Sequence, residues 1–285
     1  KSKEIKIFTE ASKSKEIINF HNKKKEVFNL IPYSKLNEFF LKKTRKSKSI
    51  KFFHTNTSSA AIFKKIKDYD LVINSENKNI ISEKFFTNKI RKNYRSRAYT
   101  FLINHGHKNN DIAIQVFTKF GPLAFLPLSN TKTSIVFSHK GDKIDDKKIL
   151  EIFNKYNSFY SLTKIGEIEK FNLSFEMLRN YTHNNILAFG DLIHRIHPLA
   201  GQGFNMTIRD IKIISKIVNR KISLGLPLDI TVAEEFQNST KHLNYLYGKA
   251  IDGIYEFFRL DSNLNNSISK PVFRILNKNS IFKKY

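Results

Sequence analysis

Apolar positions recur along this chain in two rhythms, and the change of rhythm marks its parts. In "NDIAIQVFTKFGPLAFLPLSNTKTSIVFSH" (110–139) they alternate, as at Ile112, Ile114 and Val116, which predicts half-buried strands. Turn residues at Phe120-Gly121-Pro122 and Ser129-Asn130 divide this run into three strands. "RAYTFLINH" (97–105) adds another. Residues 88 to 170 therefore read as an antiparallel sheet forming its own layer or domain. A helix follows the meander in "DDKKILEIFNKYNS", with Ile149, Leu150, Ile152 and Phe153 on its apolar side.

The flanks read differently. "EIKIF", "EIINF" and "SIKFFH" predict short strands, and "YSKLNEFFLKKT" (33–44) an amphipathic helix with Ser34 as its cap. "DYDLVINS" and "NNILAFGD" each hold a short apolar run bounded by polar residues, Leu71-Val72-Ile73 and Ile186 to Phe189. Such runs suit buried parallel strands. A helix is predicted from Phe204, with Phe204, Ile208, Ile211, Ser215 and Val218 tracing a core-packing face and Arg209-Asp210 an ion pair or helix surface. It ends before Gly225 and Pro227. Helical patterns follow at 231–260 and 268–277. The alternation of strand and helix signals places the chain in the α/β (α+β) class.

Composition narrows the function. Hydrophobic residues make up 40% of the 285, so the chain builds a core rather than remaining disordered. No apolar run reaches the ~18 residues of a membrane span. The absence of cysteine removes disulfides, thiolate nucleophiles and Cys-ligated zinc. The net charge is +25. That charge suits an anionic partner, but it is spread along a chain rich in Lys, Asn, Ile and Phe, the signature of AT-rich coding. No arginine-rich block or nucleic-acid motif stands out, so nucleic acid is not the expected partner. Attraction to an anionic bilayer remains.

The candidate chemistry lies in one segment. A strand ends at Gly190-Asp191, a loop follows, and Gly201-Gln202-Gly203 opens a helix. Ligands of open α/β sheets sit beyond the carboxyl ends of strands. A carboxylate there accepts hydrogen bonds from hydroxyls. Glycines let a flat ligand approach the backbone, and the helix start favours developing negative charge. This describes a polyhydroxylated ligand with a planar ring that becomes anionic. A metal site on Asp191, His194 and His197 is the weaker alternative, because no further ligand spacing supports it.

"GDLIHRIHPLAGQGFNMTIRD" (190–210) resembles the GD…H…P…GQG.N…D segment of FAD-dependent aromatic-ring monooxygenases of the p-hydroxybenzoate hydroxylase type. His197 to Gly203, Asn205 and Arg209-Asp210 match their ubiquinone-biosynthesis hydroxylase branch, as does "FTKFGPLAFLPL" (117–128). The resemblance implies an incomplete Rossmann-like FAD-binding domain with an inserted antiparallel-sheet substrate domain and C-terminal helices. Its parts are residues 1–87, the remainder of the FAD-binding domain; 88–180, the substrate sheet; 181–225, the FAD-binding segment; and 226–285, the helical region. It implies that Asp191 binds the ribityl hydroxyls, with Gly190 a further cofactor-binding position, and that Pro198 lies beside the isoalloxazine ring. Gly201, Gln202 and Gly203 would face its pyrimidine edge, and Asn205 would set the helix start. NAD(P)H would reduce FAD, O2 would form a flavin hydroperoxide, and that species would hydroxylate a polyprenyl phenol. No catalytic side chain is named, since family specificity rests on pocket shape. The implied location is cytoplasmic, peripheral on the inner membrane through the basic surface, in contact with other quinone-biosynthesis proteins.

Three departures stand out. Leu192-Ile193 replace two small residues, which crowds the cofactor unless a helix adjusts. Asn74-Ser75-Glu76-Asn77 stands where the family has Gly-Ala-Asp-Gly. None of the ten glycines forms the G-x-G-x-x-G that grips the FAD pyrophosphate. With Lys rather than Met first, a fragment of a longer hydroxylase is expected, the alternative being a shortened, non-catalytic relative acting as a partner in a quinone-biosynthesis complex.

Overall fold

The computed structural model describes residues 2–10, 18–21, 26–27, 29–53, 58–141, 143–196 and 202–263. The elements begin with β1 (Glu4–Thr9), β2 (Ile18–His21), α1 (Tyr33–Arg45), α2 (Ser59–Ile66), β3 (Val72–Asn74) and α3 (Ile80–Phe85). The long β4 (Lys89–His105) precedes β5 (Ile112–Thr118), β6 (Gly121–Ser129), β7 (Lys132–Lys140), α4 (Asp146–Tyr156), β8 (Leu162–Ile165) and β9 (Glu169–Leu178). The chain continues through β10 (Thr182–His183), β11 (Ile186–Ala188), β12 (His194–Arg195), α5 (Gln202–Ser223) and α6 (Ile230–Asn263). The described residues fall into two compact units, one drawn from 2–53, 95–172 and 257–263, the other from 58–94 and 173–256.

The first unit is the meander the alternation predicts, enlarged at one edge. β5, β6 and β7 pair antiparallel in succession, and β7 pairs with β4 from Ser96↔Lys140 to Asn104↔Lys132. The added edge is β1, which runs parallel to β5 from Glu4↔Ile112, with β2 antiparallel beyond it. Alternate residues Tyr99, Phe101 and Ile103 of β4 point inward. They meet Leu123, Phe125, Ile135 and Phe137 from β6 and β7, and Ile149, Ile152 and Phe153 from α4. Each such side chain contributes about 1.5–3 kcal/mol on burial. The start of α4 is fixed by Asp145, whose carboxylate accepts from Lys148 N at 2.8 Å.

The second unit centres on β11, parallel to β3 (Ile186↔Val72 to Ala188↔Asn74) and antiparallel to β10. β11 is buried at all three positions, which explains its continuous apolar sequence. Its core joins Phe189 to Ile214 and Ile217 of α5 and to Val232, Ala233 and Phe236 of α6.

Several expectations fail. "SIKFFH" forms no strand over 49–53, and Phe52 and Phe53 stay exposed, with His54 outside the described residues. The helix at 33–45 starts from Pro32, without a side-chain cap and with Ser34 inside it, and buries no residue. Phe204, Ile208 and Ile211 are exposed, while Met206, Asp210, Ile214 and Ile217 form the inward face of α5. The reason is Asp210: a carboxylate in the true core stripe makes that stripe look like surface in a hydropathy pattern. The 268–277 helix lies outside the described residues.

Candidate functional site

The site is built where β3 and β11 end. Being parallel, the two strands deliver their following loops to the same edge. After β3, Asn74 and Asn79 hydrogen-bond each other side chain to side chain, and Asn79 caps α3 by accepting from Ser82 N at 2.8 Å. Asn74-Ser75-Glu76-Asn77 is therefore an amide-stitched loop, with Glu76 exposed. After β11, Phe189 N donates to Asn74 O at 2.9 Å, which ties the second loop to the first.

Gly190 follows with φ +60, a left-handed conformation that glycine adopts without strain. It opens a 3-10 turn over Gly190–Leu192. Leu192 and Ile193 are 1% and 0% exposed and belong to the core. They pin the turn from below rather than crowd the space above it. Asp191 is exposed, and its carboxylate has no hydrogen bond or ion pair among the described residues.

The chain next pairs β12 with β9 at His194↔Met177, and His194 becomes the hub of a buried polar network. Its Nε2–H donates to Asp210 Oδ2 at 2.8 Å, and both side chains are 0% exposed. Arg209 Nη2 donates to Asp210 Oδ1 at 3.2 Å and also to Asn244 Oδ1. Asn244 Nδ2 donates to Asp210 Oδ2 and to Tyr181 Oη, each at 3.4 Å. Burial first, then the nearby Asp210 charge, push the Tyr181 hydroxyl up to about 12, against the hydrogen bond from Asn244 and the charge of Arg209. With Nε2 committed as donor, Nδ1 of a neutral ring is an acceptor; it is buried without a partner among the described residues.

At the start of α5 the first turn contains no acid, so its positive end is not neutralised by its own sequence. Gly203 has no positive φ, and a Cβ there would meet only Ile196 Cγ1 at an ordinary 3.9 Å. Among the described residues, nothing demands a glycine at 203. Thr207 Oγ1, buried without a partner among the described residues, lies beside Gly190.

The structure thus brings Gly190, Asp191, Gly203 and the start of α5 into one region, since the 3-10 turn packs on α5. Gln202 begins α5, and Asn205 is exposed in its first turn. Pro198 and Gly201, with His197, Leu199 and Ala200, lie outside the described residues. Sequence reasoning missed Asn244 and Tyr181. The available signal was Phe236, Thr240, Asn244 and Gly248, four apart on one face of α6: a polar ladder continuing a buried stripe.

Residues 120–220 match the family model described as FAD binding domain. The chain is 23% identical over 177 residues to the "Ubiquinone hydroxylase UbiL" of Rhodospirillum rubrum, covering 59% of this chain and 41% of that protein. Over part of its length the chain is thus similar to an FAD-binding domain and to ubiquinone-biosynthesis hydroxylases. The mitochondrial "Ubiquinone biosynthesis monooxygenase COQ6" of Caenorhabditis elegans is 23% identical over 216 residues, covering 60% of this chain and 48% of that one. The chain spans less than half the length of these two curated relatives. Among solved structures, p-nitrophenol 4-monooxygenase PnpA from Pseudomonas putida DLL-E4 shares the fold, superposing with a TM-score of 0.75 at 9% identity over 99% of this chain and 79% of that one.

Proposed function

We propose that this chain carries the ribityl- and ring-contacting part of the FAD site of a hydroxylase acting on the aromatic ring of a polyprenylated phenol in ubiquinone synthesis. The observation that carries this reading is Asp191: an exposed carboxylate without a partner among the described residues, held by a buried turn at the carboxyl end of a parallel strand. Its oxygens accept hydrogen bonds from a polyol chain. Gly190, Gly203 and the start of α5 would offer backbone N–H groups to the ring end, with Asn205 in the same first turn; Gln202 joins the set by sequence. Pro198 and Gly201 complete the set by sequence. Bound FAD would supply the redox chemistry that couples NAD(P)H and O2 to ring hydroxylation. The protein's part is to seat that group and exclude water from it. The His194–Asp210 network would support the seating by fixing β12, the strand that precedes residues 197–201 in the chain.

The test is an FAD titration followed by flavin fluorescence and absorbance. Saturable quenching is expected, and Asp191→Ala should weaken it about tenfold or more, the loss of a charge-assisted hydrogen bond. Unquenched flavin with the unaltered protein would overturn the reading.

A second reading is a non-catalytic partner within a quinone-biosynthesis complex. It is favoured by the amide loop at Asn74 to Asn77, which stands where the family has Gly-Ala-Asp-Gly. FAD binding without any NAD(P)H oxidation, with or without a phenolic substrate, would decide for it.

A further inference from the structure

A cavity of about 430 Å³ opens between the end of β9 and the first half of α6, within the second unit. Asp191 and the start of α5 do not line it. Its floor is apolar and deeply buried, made by Met177, Leu178 and Tyr181 at 2%, 3% and 0% exposure. Its rim is basic and exposed, made by Arg179, Lys241 and His242. No Asp or Glu lines it.

That last fact separates it from the rest of this basic protein. Elsewhere in the same unit, Lys92 contacts Asp252 at 3.0 Å and Glu256 at 2.8 Å, and Arg220 contacts Glu235. In the other unit, the cavity lined by Lys143, Lys147 and Lys170 holds its own acids, and Lys170 pairs with Asp146 at 2.6 Å. Arg179 and Lys241 have no ion-pair partner among the described residues. The walls are also fixed before any ligand arrives. Arg179 N donates to Asn88 O at 3.0 Å, and Tyr181 N donates to Gln237 Oε1 at 2.6 Å, which ties the floor to α6.

We propose that this cavity binds a small organic carboxylate, its hydrophobic body on Met177, Leu178 and Tyr181 and its carboxylate on Arg179 and Lys241. The volume falls in the range of small-molecule sites, roughly 300–1,000 Å³. The guanidinium fork of Arg179 matches a carboxylate bidentately. A bare inorganic anion would use the rim and leave the floor empty, so the hydrophobic body is part of the recognition.

Calorimetry at low salt with benzoate, octanoate and inorganic phosphate as probes tests this. At least one carboxylate should bind saturably, and phosphate about tenfold more weakly or not at all. The double substitution Arg179→Gln, Lys241→Gln, on exposed positions that leave the core intact, should weaken the carboxylate about tenfold or more. Lys241→Glu should weaken it in the same direction. Asp191→Ala should leave it unchanged, so this result and the flavin titration stand or fall separately. No saturable carboxylate binding, an unaffected double variant, or phosphate bound as tightly as the carboxylates would each overturn the proposal.

Discussion

Three glycines serve three different physical needs. Gly121 begins β6 at φ +127, and a Cβ there would stand 1.9 Å from the backbone oxygen of Ser138. No side chain fits, so Gly121→Ala should destabilise the first unit by about 3 kcal/mol or more, measured by urea unfolding. Gly190 is demanded by its dihedral angle and not by space: the nearest atom to a Cβ is Thr207 Cγ2 at 3.7 Å. An alanine at 190 should cost only about 1–2 kcal/mol in the same assay. Gly203 is demanded by neither. Sequence reading recognised all three as special, yet it could not sort them. Backbone approach from β7 and the sign of a φ angle leave no trace in the order of residues, whereas the local turn signal Phe120-Gly121-Pro122 does.

At the scale of elements, α5 carries the main lesson. Its spacing was legible, and so was its start within two residues, but its inward face was assigned to Phe204, Ile208 and Ile211. Asp210 occupies the true face because His194 from β12, Asn244 from α6 and the adjacent Arg209 satisfy it. Those first two partners lie far away in sequence, so no local pattern could announce them. Asp210→Ala would leave buried donors without their acceptor and should cost about 3–5 kcal/mol in the second unit's unfolding. The Tyr181 hydroxyl gives a pH signature of the same network. Its proton is held up to about 12 in the folded chain, against 10.0 ordinarily. Between those values the unfolded chain loses the proton first. The contribution to stability is therefore complete below pH 10 and is lost as pH rises toward about 12. Tyr181→Phe should remove that part of the decline, read from unfolding curves across this range.

On the scale of the molecule, the meander and the two short parallel strands were readable because each is bounded by its own turn residues. The placement of residues 1–53 in the sheet unit was not. It rests on the parallel pairing of β1 with β5, a contact between distant segments that has no connecting turn to betray it. Charge also acts at this scale. No helix among the described residues is long and apolar enough to cross a membrane; the +25 net charge and a pI near 9.9 predict attraction to an anionic bilayer. Co-sedimentation with phosphatidylglycerol vesicles should be strong at about 0.05 M salt and largely lost by about 0.5 M, as screening shortens the reach of the charges. Retention at high salt, or equal binding to neutral vesicles, would contradict that reading.

Tyr181 holds two positions at once. Its ring floors the cavity beside α6, and its hydroxyl accepts from Asn244, which also holds Asp210 and through it His194 in β12. A single rigid side chain is thus shared by two places where separate molecules are proposed to bind. Thermodynamic reciprocity then sets a condition that neither place can escape: by whatever factor an occupant of the cavity alters the grip on flavin, flavin must alter the grip on that occupant by the same factor.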